Sequence, residues 1–289
     1  MISTIKNSSL EIKVDSNGAE LASIRKAGDS CEYLWQGDPS FWARRAPVLF
    51  PIVGKLVNNK YTVGKKEYIM TQHGFARDME FALVEQRADF LSYELENTAD
   101  LMKKYPFSFK LMISYKLTGN SIEMSYDVCN TDVTRMWFSI GAHPGFNCPL
   151  LPGEKMEDYF LVFEKKETLK RTILENGLLT TEEPFLDNNS IVPLSQKLFE
   201  RDAVILKGMK SQHVILKNSR NKRQIKVEFK GFPYMGIWSK PSGAPFICIE
   251  PWFGIASSRT GKPALKDKEG IMTSLPGDVF HCQVKISIE

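Results

Sequence analysis

The feature that most constrains this chain is a period of two in its apolar residues between positions 107 and 128. Apolar and polar residues alternate through residues 107–117 and again through residues 122–128, and Gly119-Asn120 lies between the two runs. Side chains along a β-strand point alternately to opposite faces, so each run predicts a half-buried strand. Glycine at the first position of a two-residue loop permits the positive φ of a type II′ turn, so the two runs predict a β-hairpin. The apolar members are Phe107, Phe109, Leu111, Ile113, Tyr115, Leu117, Ile122, Met124, Tyr126 and Val128.

The same alternation recurs elsewhere in the chain. Residues 10–14 and 19–24 flank Asn17-Gly18, and residues 280–288 alternate near the C-terminus. Many short strands separated by turn residues predict an all-β fold, an antiparallel sandwich or barrel. Helical periodicity is confined to a turn or two near residues 100–104 and 193–198, which argues against a doubly wound α/β sheet. Shorter strand-like runs occur at residues 60–63, 67–70, 81–84, 90–95, 159–163, 204–206, 213–216, 225–229 and 246–249.

No linker divides the 289 residues. The chain has no Pro/Gly/Ser-rich stretch and no abrupt change in composition, so we predict a single domain over residues 1–289. Residues 153–193 form the most polar and least regular stretch, and we interpret them as an excursion from the sheet.

The charge balance restricts the classes of partner, and the cysteines bear on the cellular compartment. The balance of 38 Lys and Arg against 34 Asp and Glu is too even to require nucleic acid or an acidic membrane. The five cysteines contain no C-x-x-C pair, which favours reduced thiols in a cytoplasmic protein. The N-terminal residues lack the apolar region of a signal peptide, and the longest apolar run, residues 46–53, is far shorter than the ~20 residues of a membrane span. We expect a cytoplasmic protein, a monomer or a homodimer, with a small-molecule partner.

Three residues stand out as candidates for chemistry. His73 and His143 are each followed by glycine within two residues, so each lies in a sharp turn after a strand, where ligand contacts concentrate. Glu250 ends the apolar run 246–249 and precedes Pro-Trp-Phe. A carboxylate in such company is partly desolvated, which raises its pKa towards the range of a general base. Each of these residues also has a purely structural alternative. Either histidine can simply form a hydrogen bond to the backbone of its own turn, and the glutamate can belong to a structural ion pair. His213 and His281 lie within strand-like runs and are interpreted as packing or edge residues.

A metal site is a further alternative for these three residues. Imidazole and carboxylate suit Zn, Fe or Mn, although the close spacing of H-x-H or H-E-x-x-H is missing. The sequence also lacks G-x-S-x-G, a phosphate loop and GxGxxG. We therefore expect no metal and no cofactor.

Four segments, in order, resemble the aldose 1-epimerase (galactose mutarotase-like) family, and most closely its LacX-like branch. They are residues 45–54 (RAPVLFPIVG), 72–78 (QHGFARD), 141–146 (GAHPGF) and 247–252 (ICIEPW). The resemblance implies a large antiparallel β-sandwich, the galactose mutarotase-like supersandwich, with an open sugar-binding cleft. It also implies interconversion of the α and β anomers of an aldose, here a hexose or a phosphorylated hexose.

The resemblance also implies roles for particular residues. Glu250 matches the family's general base, His143 its general acid, and His73 the second histidine, which assists at the ring. The candidates for substrate binding are Arg77, Arg45, Trp238 and Lys240.

The chain departs from the better-characterised galactose mutarotases at two places. Their G-R-x-x-N-R segment here reads GKLVNN at residues 54–59, and the aspartate that binds ring hydroxyls has no evident match. Residues 236–240, GIWSK, stand in its place. Two rival functions stay open: a non-catalytic carbohydrate-binding or regulatory module, and a metal-dependent sugar isomerase or lyase with His73, His143 and Glu250 as ligands.

Overall fold

β-strands dominate the structure, a computed structural model that describes all 289 residues. Strands hold 53% of the residues and helices 8%, so the all-β prediction is confirmed. The first eleven strands are β1 (Ile2–Lys6), β2 (Leu10–Asp15), β3 (Glu20–Lys26), β4 (Val48–Leu49), β5 (Lys60–Val63), β6 (Lys66–Ile69), β7 (Ala82–Arg87), β8 (Phe90–Glu96), β9 (Phe109–Thr118), β10 (Ser121–Asn130) and β11 (Met136–Phe138). The others are β12 (Ile140–Ala142), β13 (Gly145–Asn147), β14 (Tyr159–Glu175), β15 (Leu178–Pro193), β16 (Val204–Lys207), β17 (His213–Asn218), β18 (Gln224–Glu228), β19 (Tyr234–Trp238), β20 (Phe246–Phe253), β21 (Met272–Ser274) and β22 (Val279–Ile288).

Fifteen strands form one large antiparallel sheet. Its order is β4-β12-β20-β19-β16-β14-β17-β18-β22-β10-β9-β8-β7, with β13 added on β20 and β15 on β14. Strands β1–β3 form a separate sheet, and β5-β6 and β11-β21 are two-stranded pairs. The prediction of a large antiparallel β-sandwich is confirmed. The prediction of a single domain stays a prediction.

The alternation of residues 107–128 sets the position of the core. In β9 every second residue from Phe109 to Leu117 is buried, and β10 alternates in the same way. Gly119 has a φ of +58° while Asn120 does not enter the positive region, as the predicted type II′ turn requires. These side chains belong to a core cluster of 68 buried residues that draws on strands from β1 to β22.

The prediction for residues 153–193 is wrong. Most of this stretch forms β14 and β15, a long hairpin whose first strand lies inside the large sheet between β16 and β17. The alternation is hard to read because the pairing of the two strands shifts register at four places. Asn176-Gly177 joins the strands with positive φ at both residues, the requirement of a type I′ turn. The Asn-Gly dipeptide was therefore the feature of the sequence that indicated this hairpin.

Helices are few and short. The expected helix near residues 100–104 is α1 (Ala99–Lys104), whose first turn is capped by Thr98 accepting a hydrogen bond from Leu101 N. The expected turn near residues 193–198 appears as a 3₁₀ helix, Gln196–Phe199. None of the helices combines the length and hydrophobicity needed to span a lipid bilayer. The other 3₁₀ helices are Val57–Asn59, Ala76–Asp78, Met156–Asp158 and Leu265–Asp267.

Candidate active site

Strand register brings His143 to Glu250. Strand β20 pairs with β12 through Gly141↔Trp252 and with β13 through Gly145↔Cys248, and both pairs belong to one continuous register. The same register, carried through the two-residue gap between β12 and β13, places His143 directly opposite Glu250. Residues directly opposite on antiparallel strands have neighbouring side chains.

The two side chains meet in the interior. His143 Nε2 lies 3.1 Å from Glu250 Oε2, and the two residues are 8% and 2% exposed. On the other side of β20, Glu250 is paired with Gly236 of β19. A Cβ at Gly236 would lie 2.4 Å from the Trp252 ring, so glycine is required for that tryptophan to pack beside the glutamate.

His73 lies beside this pair in a strained turn. It has a φ of +69°, which is unusual for a residue other than glycine, and Gly74 follows with a φ of +75°. A Cβ at Gly74 would lie 2.2 Å from the Phe50 carbonyl oxygen, so the turn can dock on that segment only with glycine. The His73 and His143 rings lie 5.7 Å apart in an edge-to-face arrangement.

Backbone groups fix the orientation of the His73 ring. His73 N donates to the Gly54 carbonyl at 3.0 Å, and Gly54 N donates to His73 Nδ1 at 3.2 Å. Because Nδ1 accepts, Nε2 carries the proton of the neutral ring. The side-chain amide of Gln72 lies 3.1 Å from His73 Nε2. It accepts a hydrogen bond from the Nε2–H group when the amide oxygen faces the ring.

Two tryptophans hold the His143 ring in place. Trp42 stacks on the imidazole with ring centroids 4.9 Å apart and an interplanar angle of 28°. Trp238 meets both rings edge-on, at 6.0 Å from His143 and 5.6 Å from Trp42. This packing orients the imidazole and excludes water from its face.

The pair lies in the wall of a cavity of about 240 Å³. Such a volume is below the ~300–1,000 Å³ of pockets for drug-sized ligands and suits a molecule of monosaccharide size. Apolar rings and a few converging polar groups line it, which is the usual composition of a small-molecule site. The lining residues are Trp42, Gly54, Gln72, His73, Arg77, His143, Leu174, Gly177, Asp202, Ala203, Ile205, Trp238, Glu250, Trp252 and Ala256.

Burial moves the pKa values of the pair in opposite directions. Desolvation, with a smaller contribution from the Asp202 carboxylate, raises the pKa of Glu250 well above its usual range. The pKa of His143 is lowered to about 3, chiefly by desolvation and to a smaller extent by the charges of Arg77 and Arg44, against the opposing effect of a backbone hydrogen bond. Both shifts favour the uncharged forms, so when the pair holds a single proton, that proton lies on Glu250, and the protonated carboxyl donates a hydrogen bond to His143 Nε2.

The pKa of His73 is also lowered, chiefly by burial and next by the neighbouring His143. The centre of the cavity thus holds three titratable groups, and burial favours the neutral form of each. Strongly shifted pKa values that coincide with a cavity are typical of functional sites.

The cavity also holds one positive and one negative side chain. Arg77 Nη2 donates to the Gln72 carbonyl at 2.7 Å, while its Nε is buried without a hydrogen-bond partner and lies 3.9 Å from Asp78 Oδ2. Burial lowers the pKa of Arg77 to about 10, so the guanidinium stays charged near neutral pH. Asp202 is exposed at the rim, and its Oδ1 accepts from Ala203 N at 2.8 Å. Its other carboxylate oxygen is free to accept from a ligand.

The structure brings five of the seven predicted site residues together. Glu250, His143, His73, Arg77 and Trp238 all line the cavity. The other two, Arg45 and Lys240, do not.

Arg45 lies elsewhere because residues 45–46 are held by backbone hydrogen bonds to Glu20, and its side chain borders a separate depression near Lys13 and Arg25. Lys240 Nζ donates to the Ser40 carbonyl at 3.3 Å, which keeps it outside the cavity. Among the aromatic residues near the matching segments, Trp252 also lines the cavity, whereas Phe146 is packed in the core.

Sequence reasoning missed Trp42, Gln72 and Asp202. Gln72 precedes His73 in the same turn, and that adjacency was a usable signal. Trp42 lies three residues before the 45–54 segment and Asp202 one residue before an apolar run, and neither position carries a local motif. Both reach the cavity only through tertiary contacts.

One set of potential metal donors occurs here, and it differs from the set considered from the sequence. His143, Cys248 and Glu250 each offer one ligand atom within 4.8 Å of the others. His73 does not join them, and its Nδ1 accepts from Gly54 N. A thiol binds metal as the thiolate, and burial raises the pKa of Cys248, which works against that form.

The fold defines the class: the chain is a galactose mutarotase-like β-sandwich protein. A galactose mutarotase related enzyme from Lactobacillus acidophilus superposes with a TM-score of 0.96 at 33% identity, over 100% of this chain and 97% of that one. A galactose mutarotase-like protein from Lactobacillus casei gives a TM-score of 0.93 at 32% identity, over the full length of both chains.

Sequence comparison agrees. The family model described as aldose 1-epimerase matches residues 1–265. The plasmid-encoded protein LacX of Lactococcus lactis subsp. lactis is 36% identical over 98% of each chain. The chain therefore belongs to the aldose 1-epimerase family, in the branch that includes the LacX proteins, and the predicted resemblance is confirmed.

Proposed function

We propose that this protein is an aldose 1-epimerase that interconverts the α and β anomers of a hexose or a hexose phosphate. The observation that carries the proposal is the buried contact of 3.1 Å between His143 Nε2 and Glu250 Oε2 in the wall of a cavity of monosaccharide size. Sugar binding alone needs no buried acid–base pair, so this contact favours an enzyme over a binding module.

The proposed reaction needs only proton transfers. Glu250 as the carboxylate removes the proton from the C1 hydroxyl, and His143 as the imidazolium donates a proton to the ring oxygen while the C1–O5 bond breaks. Rotation about C1–C2 then presents the other face of the aldehyde. Both proton transfers run in reverse as the ring closes: His143 takes back the proton from the C5 hydroxyl, and Glu250 returns a proton to the C1 oxygen. Each transfer by a positioned group contributes typically ~10²–10⁴-fold to the rate.

The two protonation states of the pair differ only in the place of one proton. In the buried pair this proton lies on Glu250, and its transfer to His143 Nε2 across 3.1 Å gives the carboxylate and imidazolium that ring opening requires. Sugar hydroxyls that bond to both groups supply the polarity that stabilises this charged form. Ring opening returns the pair to the uncharged form.

Other cavity residues supply contacts around the pair. Trp238 and Trp252 offer apolar faces on which a pyranose can stack. Asp202 replaces the family aspartate that sequence reasoning could not locate, as an acceptor for ring hydroxyls. Arg77 donates to hydroxyls or to a phosphate group. His73 assists at the ring through its Nε2 proton.

Polarimetry of freshly dissolved α-glucose and α-galactose, and of hexose phosphates, tests the proposal. We expect at least one of these sugars to equilibrate faster with enzyme than in buffer alone. Saturable sugar binding without any rate enhancement would instead indicate a carbohydrate-binding module. An activity that disappears on chelation and returns with a metal would indicate the His143–Cys248–Glu250 metal site.

The pH dependence of kcat/KM should be a broad plateau. The pair gains a second proton only well below the ordinary pKa of histidine, because the pKa of His143 is lowered to about 3, and loses its shared proton only well above the ordinary pKa of glutamate, because the pKa of Glu250 is raised. Between the acid and the alkaline limit its proton count is constant, so we expect kcat/KM to be flat there and to show no inflection at either ordinary value. A narrow bell between about 4.3 and 6.5, the ordinary values of Glu and His, would contradict the pairing.

Replacing Asp202 by asparagine should weaken substrate binding with little effect on chemistry. A hydrogen bond to a charged group contributes about 1.5–3 kcal/mol, so we expect KM to rise roughly tenfold or more while kcat changes little. The variant also removes a negative charge that raises the pKa of Glu250, so the alkaline limit of the pH plateau should move to lower pH.

Asp187→Asn is the matched control for this substitution, because Asp187 is an exposed aspartate on β15 outside the cavity. Steady-state kinetics across pH should show no change in this control. An Asp202→Asn variant with the KM of the unmodified enzyme would show that Asp202 does not contact the substrate.

A further inference from the structure

A second cavity, of about 220 Å³, lies behind one wall of the first. Gly54 and Ala256 face the first cavity, whereas Leu56 and Ser257 face the second. Ser257 N donates to the Lys55 carbonyl at 2.8 Å, so this wall is tied together by backbone pairing. None of the residues assigned to the proposed reaction lines the second cavity.

A buried ammonium group lines this second cavity. Lys268 is 7% exposed, and its Nζ donates to the Ile255 carbonyl. An ammonium has three donors, and the Ile255 carbonyl is the one acceptor that the protein gives to Lys268 Nζ. The neighbouring Glu269 carboxylate opposes the lowering of the Lys268 pKa, but its ion pair, at 2.8 Å, is with Lys207. Burial lowers the pKa of Lys268 to about 7. A buried charge without a counter-ion costs free energy, which an anion in the cavity would offset.

The other charges around the cavity leave it positive. Lys60 is neutralised by Glu67, with Nζ and Oε1 2.7 Å apart. Lys262 is exposed and forms no ion pair, so it supplies one uncompensated positive charge. Lys268, whose pKa is lowered to about 7, is partly charged near neutral pH, and a bound anion would favour its charged form. A phosphate carries about −1.5 to −2 near neutral pH and accepts hydrogen bonds from several directions.

From the cavity and the buried, incompletely partnered Lys268 ammonium we propose that a phosphate group binds here, on Lys268 and Lys262. Asn58 and Ser257 line the same cavity and offer further polar contacts. The phosphate is either free inorganic phosphate or the phosphoryl group of a small metabolite. This site is separate from the sugar cavity and does not depend on the proposed activity.

Isothermal titration calorimetry of the protein with inorganic phosphate tests this site, with chloride at equal ionic strength as the reference. We expect saturable binding, weakened roughly tenfold or more in Lys268→Met through loss of charged hydrogen bonds. Lys268→Met should remain folded, because an apolar side chain replaces a buried charge. Lys262→Ala, an exposed position that leaves the core untouched, should also weaken binding. Glycerol 3-phosphate run in parallel distinguishes a phosphate ester from free phosphate, since only the ester can gain affinity from its organic part, and it lacks the hexose ring that we propose for the first cavity.

Two controls locate the binding. Lys266→Ala changes an exposed lysine of the same segment that does not line the cavity, and it should bind phosphate as the unmodified protein does. Arg77→Ala changes the cation of the first cavity, where we propose that a hexose phosphate binds, and it should leave the binding of inorganic phosphate in the second cavity unchanged. Binding lost in Arg77→Ala but kept in Lys268→Met would place the anion in the first cavity and overturn the inference. Absence of saturable binding, or equal affinity in Lys268→Met, would overturn it as well.

Discussion

Replacing Glu250 by glutamine is expected to lower kcat for anomer interconversion by roughly 10²- to 10⁴-fold, the usual contribution of a positioned base. The amide cannot accept the C1 hydroxyl proton, although it fills the space of the carboxyl group. Because burial favours the protonated, uncharged carboxyl, glutamine resembles the resting form closely. We therefore expect the free energy of unfolding to change by less than about 1 kcal/mol. Polarimetry and thermal denaturation of the same preparation measure the two effects.

Glu167→Gln is a matched control with the opposite expected result. Glu167 is equally buried, but its carboxylate accepts hydrogen bonds from Lys210 N, Ser211 N and Ser211 Oγ, and it does not line the cavity. Disturbing these bonds should cost about 1–3 kcal/mol of stability and leave the rate per folded molecule unchanged. A Glu250→Gln enzyme with full kcat would remove Glu250 from the proposed mechanism.

Replacing His143 by asparagine is the second large effect, again a loss of roughly 10²- to 10⁴-fold in kcat. In the proposed mechanism the two residues share one proton, so the effects of the two substitutions should not be additive. We expect the double variant Glu250→Gln, His143→Asn to be about as slow as the slower single variant. A double-mutant cycle measured by polarimetry checks this coupling.

His213→Asn serves as the control for the histidine substitution. His213 is half-buried on β17 with its Nδ1 3.8 Å from Glu164, and it does not line the cavity. Its variant should retain full activity. Losses that multiply in the double variant would mean that His143 and Glu250 act independently and would contradict the shared-proton model.

Much of the fold could be predicted because alternation is a local property of a strand. The hairpin of residues 107–128 was readable from its period and from Gly119, since one buried face and one solvated face impose the pattern directly. Strands β14 and β15 were misread because their bulges break the period, although Asn176-Gly177 marked the turn. A bulge depends on how a strand pairs with its neighbours, so it cannot be recognised from a short stretch of sequence.

The site could be predicted in part for the same reason. The turns at His73 and His143 and the apolar setting of Glu250 are local features, and all three residues line the cavity. Arg45 belongs to a matching segment, but hydrogen bonds from its backbone to Glu20 hold it away from the cavity. Asp202 reaches the rim without any local motif, so its place could not be read from its neighbours.

The sequence by itself determined the all-β class, the main hairpins, the family and the residue types at the turns, because these depend on local alternation and on short motifs. Tertiary structure decided the rest. The shared register of β12 and β13 along β20 sets His143 opposite Glu250, and packing by distant segments removes water from both. Burial is a sum over contacts that are far apart in the chain, so only the folded molecule fixes the directions of the pKa shifts, including that of Lys268.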